Sequence, residues 1–170
     1  MYPILTGKSE SQLRSGIGEY YDNCLSLGIN TVYVHVRPFG DAIYKSDYFP
    51  WSKYCTGYIG KDPGYDPLKV MIDEAHARGI SFQAWVNPLR CYYEDDAPDV
   101  STTYKTGQWY DTKDGDYIVK VKSYWWLNPA YKEVTDLIAN GAAELVSKYD
   151  VDGVHIAVSY THLRAHETSL

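Results

Sequence analysis

The feature that most constrains this chain is a helix-then-strand pattern that occurs three times. The first helix is expected from Ser9 to Leu27. Ser9 and Gln12 have the spacing of a capping box. Leu13, Ile17, Tyr20, Cys24 and Leu27 recur at helical spacing, and Gly28 stands where a C′ glycine ends a helix. A β-branched strand follows, Thr31 to Val36. The second helix opens with Asp66-Pro67, an N-cap followed by an N1 proline. Leu68, Met71, Ile72 and Ala75 form its apolar stripe, Gly79 ends it, and the strand Ile80 to Val86 follows. The third opens with Asn128-Pro129, again read as cap and N1 proline, with a stripe of Val134, Leu137, Ile138, Leu145 and Val146. It leads through Asp150 to Gly153 into the short strand Val154 to Ile156. Helices that alternate with apolar strands build βα units around a parallel sheet.

Two long connections interrupt the pattern. The segment from about Cys91 to Trp126 is expected to hold a β-hairpin, with Asp114-Gly115 turning between Trp109–Thr112 and Asp116–Val121. The loop from Asp41 to Gly64 is rich in Gly, Pro, Tyr and Trp and has no period. In barrels, long βα loops of this kind carry function. A complete (β/α)8 barrel takes about 250 residues, and this chain has 170. The expected fold is therefore α/β, a partial (β/α)8 TIM barrel. It comprises about three βα units and a β-hairpin insertion, with the first strand and the C-terminal half missing.

Composition narrows the partners. A net charge of -6 disfavours nucleic acid and anionic membrane surfaces. No apolar run reaches the length of a membrane span, and Met1 to Glu10 lacks the apolar stretch of a signal peptide. Cys24, Cys55 and Cys91 match no zinc or redox spacing and read as isolated thiols. No phosphate-binding glycine loop, nucleophile elbow or zinc motif points to another chemistry, and no cofactor or metal is expected. The 18 Tyr and 5 Trp suit sugar binding, because the C–H face of a pyranose packs on an aromatic ring. They equally suit core and hairpin packing.

Residues 157–170 break the pattern. Val158 to Thr168 resembles the translation of a transposon-based sequencing adapter. The expectation is a domain over 1–156 and a non-native tail over 157–170. His162 and His166, with Glu167 beside them, have metal-pair spacing. They are set aside because an adapter carries no selected chemistry.

Several stretches, in order, carry a family resemblance. They are Ile4 to Ser9, Leu27 to Asp41 (with Val-His-Val-Arg-Pro-Phe-Gly-Asp), Pro50 to Tyr54, Gly60 to Pro67, Ala84-Trp-Val-Asn-Pro88, Leu127-Asn-Pro129 and Tyr149 to Ile156. Together they resemble the bacterial glycosyl hydrolase-like 10 family. The resemblance implies a barrel related to glycoside hydrolases, a glycan substrate (a polysaccharide or peptidoglycan glycan) and an extracytoplasmic or cell-envelope location. It also implies two Asp and a Tyr after the Gly-Val-His-Ile pattern, where this chain has Ala157, Val158 and Ser159.

Barrel active sites form at the C-terminal ends of the strands, which selects the candidates. Arg37 is either a clamp on a sugar hydroxyl or a structural partner of Asp41, and Asp41 is the one carboxylate nominated near the mouth. Asn87 contacts sugar or shapes the turn before Pro88, with Arg90 just beyond. Trp85 is barrel core or stacking platform. Asn128 matches the family and also fits a helix cap. His155 faces the mouth or fills the core, and His35, two residues before Arg37 on the same strand face, reads as core. Asp150 and Asp152 fit turn formation, and the run Glu94, Asp95, Asp96, Asp99 fits solvated surface. Glycosidases need two carboxyl groups, about 5–5.5 Å apart when retaining and about 6.5–9.5 Å apart when inverting. No such pair is assignable, so the parent is read as a glycosidase and this chain as inactive. The alternative is a noncatalytic carbohydrate-binding barrel. An unclosed parallel sheet is further expected to leave the isolated chain molten or prone to association.

Overall fold

A computed structural model describes residues 2–93, 103–112 and 117–157. A one-turn helix α1 (Tyr2–Leu5) precedes α2 (Glu10–Ser26), which starts at the expected capping box. The Ser9 side chain accepts from the Gln12 N–H, and the Gln12 side chain accepts from the Ser9 N–H. Leu13, Ile17, Tyr21 and Cys24 form its buried stripe. That corrects the expected stripe, since Tyr20 and Leu27 are 52% and 77% exposed. Gly28 (φ 76°) takes the left-handed C′ position that stops the helix and turns the chain into β1 (Thr31–Arg37).

The connection that follows β1 contains the short helix α3 (Lys53–Thr56). Helix α4 (Pro67–His76) has Asp66 as its cap, accepting from the Lys69 N–H, with Pro67 at its start. Leu68, Met71, Ile72 and Ala75 are buried as expected, and Gly79 (φ 69°) follows. Strand β2 (Ser81–Val86) then pairs in parallel with β1. Helix α6 (Lys132–Lys148) leads to β6 (Gly153–Ile156), which pairs in parallel with β2. The sheet order is β1-β2-β6. Each strand is joined to its neighbour through a helix, which is the arrangement of consecutive βα units in a barrel. Val34, Val36, Phe82, Ala84 and Val86 face the helices and form the core with them.

Two details of the third unit differ from expectation. Asn128 does not cap α6, whose N-cap is Tyr131, without a side-chain hydrogen bond. Instead the Asn128 Oδ1 accepts the Ala130 N–H at 3.1 Å, and the Asn128 N–H donates to the Tyr117 carbonyl at 2.8 Å. The Asn-Pro pair makes a turn tied to the insertion, and the helix begins only after it. Val146 is 56% exposed, and the buried stripe runs through Val134, Leu137, Gly141, Glu144 and Leu145.

The insertion is also rearranged. It contains β3 (Arg90–Tyr93), α5 (Lys105–Thr112), β4 (Ile118–Val121) and β5 (Tyr124–Leu127). Trp109 to Thr112 is helical, not strand, and the hairpin is β4–β5, turning at Lys122 (φ 56°). Asp114, Gly115 and Asp116 lie outside the described residues, as do residues 158–170 with His162, His166 and Glu167. The second sheet is antiparallel with order β3-β5-β4. Cys91, Tyr92, Ile118, Leu127 and Val134 form its own small core. The three cysteines are free and buried, as their spacing suggested.

Candidate functional site

The parallel register brings two candidates, Trp85 and His155, into one row with His35, which the sequence reads as core. His35 is opposite Trp85, and Trp85 is opposite His155. By strand alternation all three lie on the face away from the helices, where a barrel keeps its lumen. The His35 and Trp85 rings stack at 4.8 Å between centroids. His155 meets Trp85 edge-on at 5.6 Å and Tyr33 at 5.4 Å. Trp85 is 36% exposed and Tyr33 60%, so the row presents aromatic surface and is not closed core.

Asn87 fixes this row. It is buried, its Oδ1 accepts the Trp85 indole N–H at 3.2 Å, and its Nδ2 donates to the Pro38 carbonyl at 3.0 Å. Its backbone N–H donates to the Arg37 carbonyl at 2.9 Å. Asn87 therefore ties the ends of β1 and β2 together and sets the indole's orientation. Burial pushes the His35 imidazole down to about 4, with Asn87 opposing and Arg90 reinforcing the shift. At neutral pH His35 is uncharged and gives the indole a neutral stacking partner.

Arg37 does not reach the mouth. The β1–β2 register shifts between His35 and Arg37, and the side chain turns inward. It is 1% exposed, with Cζ 3.6 Å above the Phe49 ring, next to Gly141 of α6. Its guanidinium nitrogens find no hydrogen-bond partner among the described residues. Burial lowers its pKa, while Tyr44, Asp41 and Glu144 supply the opposing negative potential. Asp41 is 4% exposed inside the loop after β1, where its Oδ1 accepts the Phe39 N–H at 3.1 Å. Burial raises its carboxyl to about 6, against hydrogen bonds from Ser52 and Phe39. The two residues share a buried environment, but no salt bridge joins them among the described residues.

Arg90 stands on the rim. Its Cζ lies 5.7 Å from the Phe39 ring, 5.2 Å from Tyr124 and 5.8 Å from Trp126. Those rings were not singled out in the sequence, although Tyr124-Trp-Trp-Leu127 in a strand offered the signal. Glu144 was also missed. It is 5% exposed and accepts from the Asp47 N–H and Lys148 Nζ, both at 2.7 Å, and from the Ser46 hydroxyl. This binds the β1–α4 connection to α6. Asp152 accepts the Phe82 N–H at 2.6 Å and pairs with His76 at 2.9 Å, at the N-terminal end of the strands. These contacts tie the start of β6 to β2 and α4, away from the mouth, so Asp152 acts across the fold and not within a local turn.

The fold defines the class: a partial (β/α) barrel, with its candidate site at the strand ends. Solved structures with this fold include Gamma-CGTASE from alkalophilic Bacillus clarkii. It superposes with TM-score 0.58 at 15% identity over 90% of this chain and 26% of that one. The maltogenic α-amylase AmyB from Thermotoga neapolitana superposes with TM-score 0.56 at 14% identity, over 92% and 37%. At these identities the likeness shows the fold alone. The sequence goes further: residues 10–166 match the glycosyl hydrolase-like 10 model, and the chain belongs to that family. It is similar to glycosyl hydrolase YngK of Bacillus subtilis (strain 168), 36% identical over 91% of this chain and 30% of the relative. It is also similar to glycosyl hydrolase DigH of Escherichia coli (strain K12), 41% identical over 78% and 31%. The chain thus spans about a third of the length of the curated relatives it matches.

Proposed function

We propose that this chain is the glycan-holding part of a glycoside hydrolase barrel acting on O-glycosyl bonds of a polysaccharide or peptidoglycan glycan, and that alone it binds glycan without cleaving it. The observation that carries the reading is the oriented Trp85 indole. It is partly exposed at the C-terminal end of a parallel sheet, backed by a neutral His35 and fixed by Asn87. A sugar ring stacks on such a surface, and a buried amide that holds the indole costs the site no ordering on binding. In this reading Trp85 and His155 contact sugar. Asn87 and His35 are positioning residues, and Arg37 and Asn128 are structural. Asp41, its carboxyl raised only to about 6 and its side chain 4% exposed, is mostly ionised at neutral pH and lacks the exposure a general acid needs.

The test is cosedimentation of the chain with insoluble peptidoglycan, chitin and cellulose, with reducing ends measured in parallel. The expected result is saturable binding, lost in Trp85→Ala, with no reducing ends above blank. Absence of binding to every glycan refutes the glycan reading. Steady release of reducing ends refutes the inactivity. The rival is a noncatalytic carbohydrate-binding barrel, favoured by the burial of the one nominated carboxylate, Asp41. Hydrolysis by the full-length parent, abolished by Trp85→Ala, excludes that rival.

A further inference from the structure

The antiparallel sheet places a second set of aromatic rings beside the Trp85 row. In β5, alternation sends Trp125 and Leu127 to one face and Tyr124 and Trp126 to the other. Leu127 is buried in the small core, with Trp125 packed against it, so that face is accounted for. The other face is not filled by that core. Arg90 pairs across from Trp126, and Tyr93 from Tyr124. Tyr93 and Tyr124 meet edge-on at 5.2 Å, Tyr124 and Trp126 lie 5.9 Å apart, and Phe39 stacks on Tyr124 at 6.4 Å. Arg90 sits among three of these rings and orients them by cation–π attraction. All four rings keep exposed surface, Tyr93 most at 39%. Packing alone does not call for four part-exposed rings on one face, since exposed aromatic area lowers solubility and stability.

We infer that Phe39, Tyr93, Tyr124 and Trp126, held around Arg90, form a separate sugar-stacking subsite for glucose-configured pyranoses. The site continues the Trp85 row, because Asn87 lies three residues before Arg90 and its side chain is bonded to Pro38, the residue before Phe39. Stacking uses a ring face that shows only C–H groups. Equatorial hydroxyls leave both faces of a glucose-configured pyranose clear, whereas the axial hydroxyl of mannose interrupts one. Mannose keeps one clear face, so the platform favours glucan, chitin or peptidoglycan chains over mannan by accepting two stacking orientations against one. This inference rests on the glycan reading above and adds a second contact along the same chain.

The experiment measures binding of the whole chain to insoluble peptidoglycan, chitin, cellulose and mannan. It compares the wild type with Tyr93→Ala, Trp126→Ala, Trp126→Phe and Trp85→Ala. The expected result is weaker mannan binding than binding to at least one glucose-configured polymer. Loss of one stacking ring raises the half-saturating concentration about tenfold for Tyr93→Ala and Trp126→Ala. Trp126→Phe recovers most of that loss. Tyr93→Ala truncates an exposed ring at a strand end, so an unchanged unfolding midpoint keeps the test meaningful if Trp126→Ala unfolds the insertion. Wild-type affinity in Tyr93→Ala and Trp126→Ala, with binding lost in Trp85→Ala, overturns the platform and leaves the glycan reading standing. Equal binding to mannan overturns the stated selectivity. Absence of binding to every polymer overturns both.

Discussion

Replacing Asp41 with Asn should change how stability depends on pH, because Asp41 is a buried acid held near neutral pH. Burial raises its carboxyl from 3.8 to about 6, with hydrogen bonds from Ser52 and Phe39 and the charge of Arg37 limiting the rise. Below pH 3.8 the group is protonated in both the folded and unfolded chain. Between 3.8 and about 6 the unfolded chain has released the proton and the folded chain still holds it, so raising the pH favours unfolding. Above about 6 both states are ionised and the full cost of the buried charge remains. At about 1.4 kcal/mol per tenfold, that cost is about 3 kcal/mol. Asn keeps an oxygen for the Phe39 N–H and never ionises. Asp41→Asn should therefore match the wild type near pH 3.5 and exceed it by about 3 kcal/mol at pH 7.5, with the difference opening between pH 4 and 6. The assay is urea unfolding followed by tryptophan fluorescence at a series of pH values and low protein concentration. Other carboxylates, such as Asp22 held down by Arg78 and Asp152 held down by the Phe82 N–H, titrate in both proteins and cancel in the difference. A difference that is constant with pH refutes the reasoning. It would mean that Asp41 is ionised at its ordinary value, fully compensated by its neighbours.

Three further outcomes follow from the packing. Gly141→Ala should destabilise the chain by about 1–3 kcal/mol in urea unfolding, as overpacking does. The added Cβ would lie 2.5 Å from Phe49 Cε2 and 2.9 Å from Arg37 Nη1. Asp66→Ala should cost about 1–2 kcal/mol, because it removes both a helix cap and an acceptor. Asp66 accepts from the Lys69 N–H and from the Tyr149 hydroxyl, and a double-mutant cycle with Tyr149→Phe should show positive coupling. The sheet face carrying Tyr33, 60% exposed, and Trp85, 36% exposed, should drive concentration-dependent association and binding of a hydrophobic dye. Sedimentation velocity checks this: Tyr33→Lys should reduce association, and a monomeric wild type without dye binding contradicts it.

The parts of the fold legible in the sequence are those whose signal is local. Ser9 with Gln12, Gly28, Asp66 with Pro67, and Gly79 each specify a helix end through contacts within a few residues, and all four stand where their chemistry put them. Asn128-Pro129 carries the same local signal but a different outcome. A distant partner, the Tyr117 carbonyl, claims the Asn128 N–H, and the helix starts at Lys132. The insertion departs from its local signal for a related reason. Asp114-Gly115 is a strong turn signal, whereas the hairpin turns at Lys122, a left-handed residue that no local preference announces. Tyr20 and Tyr21 are adjacent and equally apolar. Which one faces the core depends on where α4 and the sheet sit against α2, and the periodicity alone was one residue off.

The candidate site divides along the same line. Strand period relates His35 only to residues of its own strand; the common face and level of His35, Trp85 and His155 come from the parallel register between strands far apart in sequence. Arg37 has the same parity as His35 and would share that face in an unbroken strand. The register shift between them turns it to the other side, onto Phe49, in a pocket closed by Gly141. A residue that reads as a clamp at the mouth thus becomes a buried cation that joins β1 to α6. A missing Cβ at Gly141, about a hundred residues away, makes room for it. Replacing Arg37 with Met, close in length and uncharged, separates the two roles. Because the guanidinium nitrogens have no hydrogen-bond partner among the described residues, the loss of their burial cost should offset the loss of attraction to Glu144 and Asp41. Stability should then change by less than about 1 kcal/mol while glycan binding is unchanged. A loss of binding at unchanged stability would put Arg37 back at the mouth and overturn its placement as a structural residue.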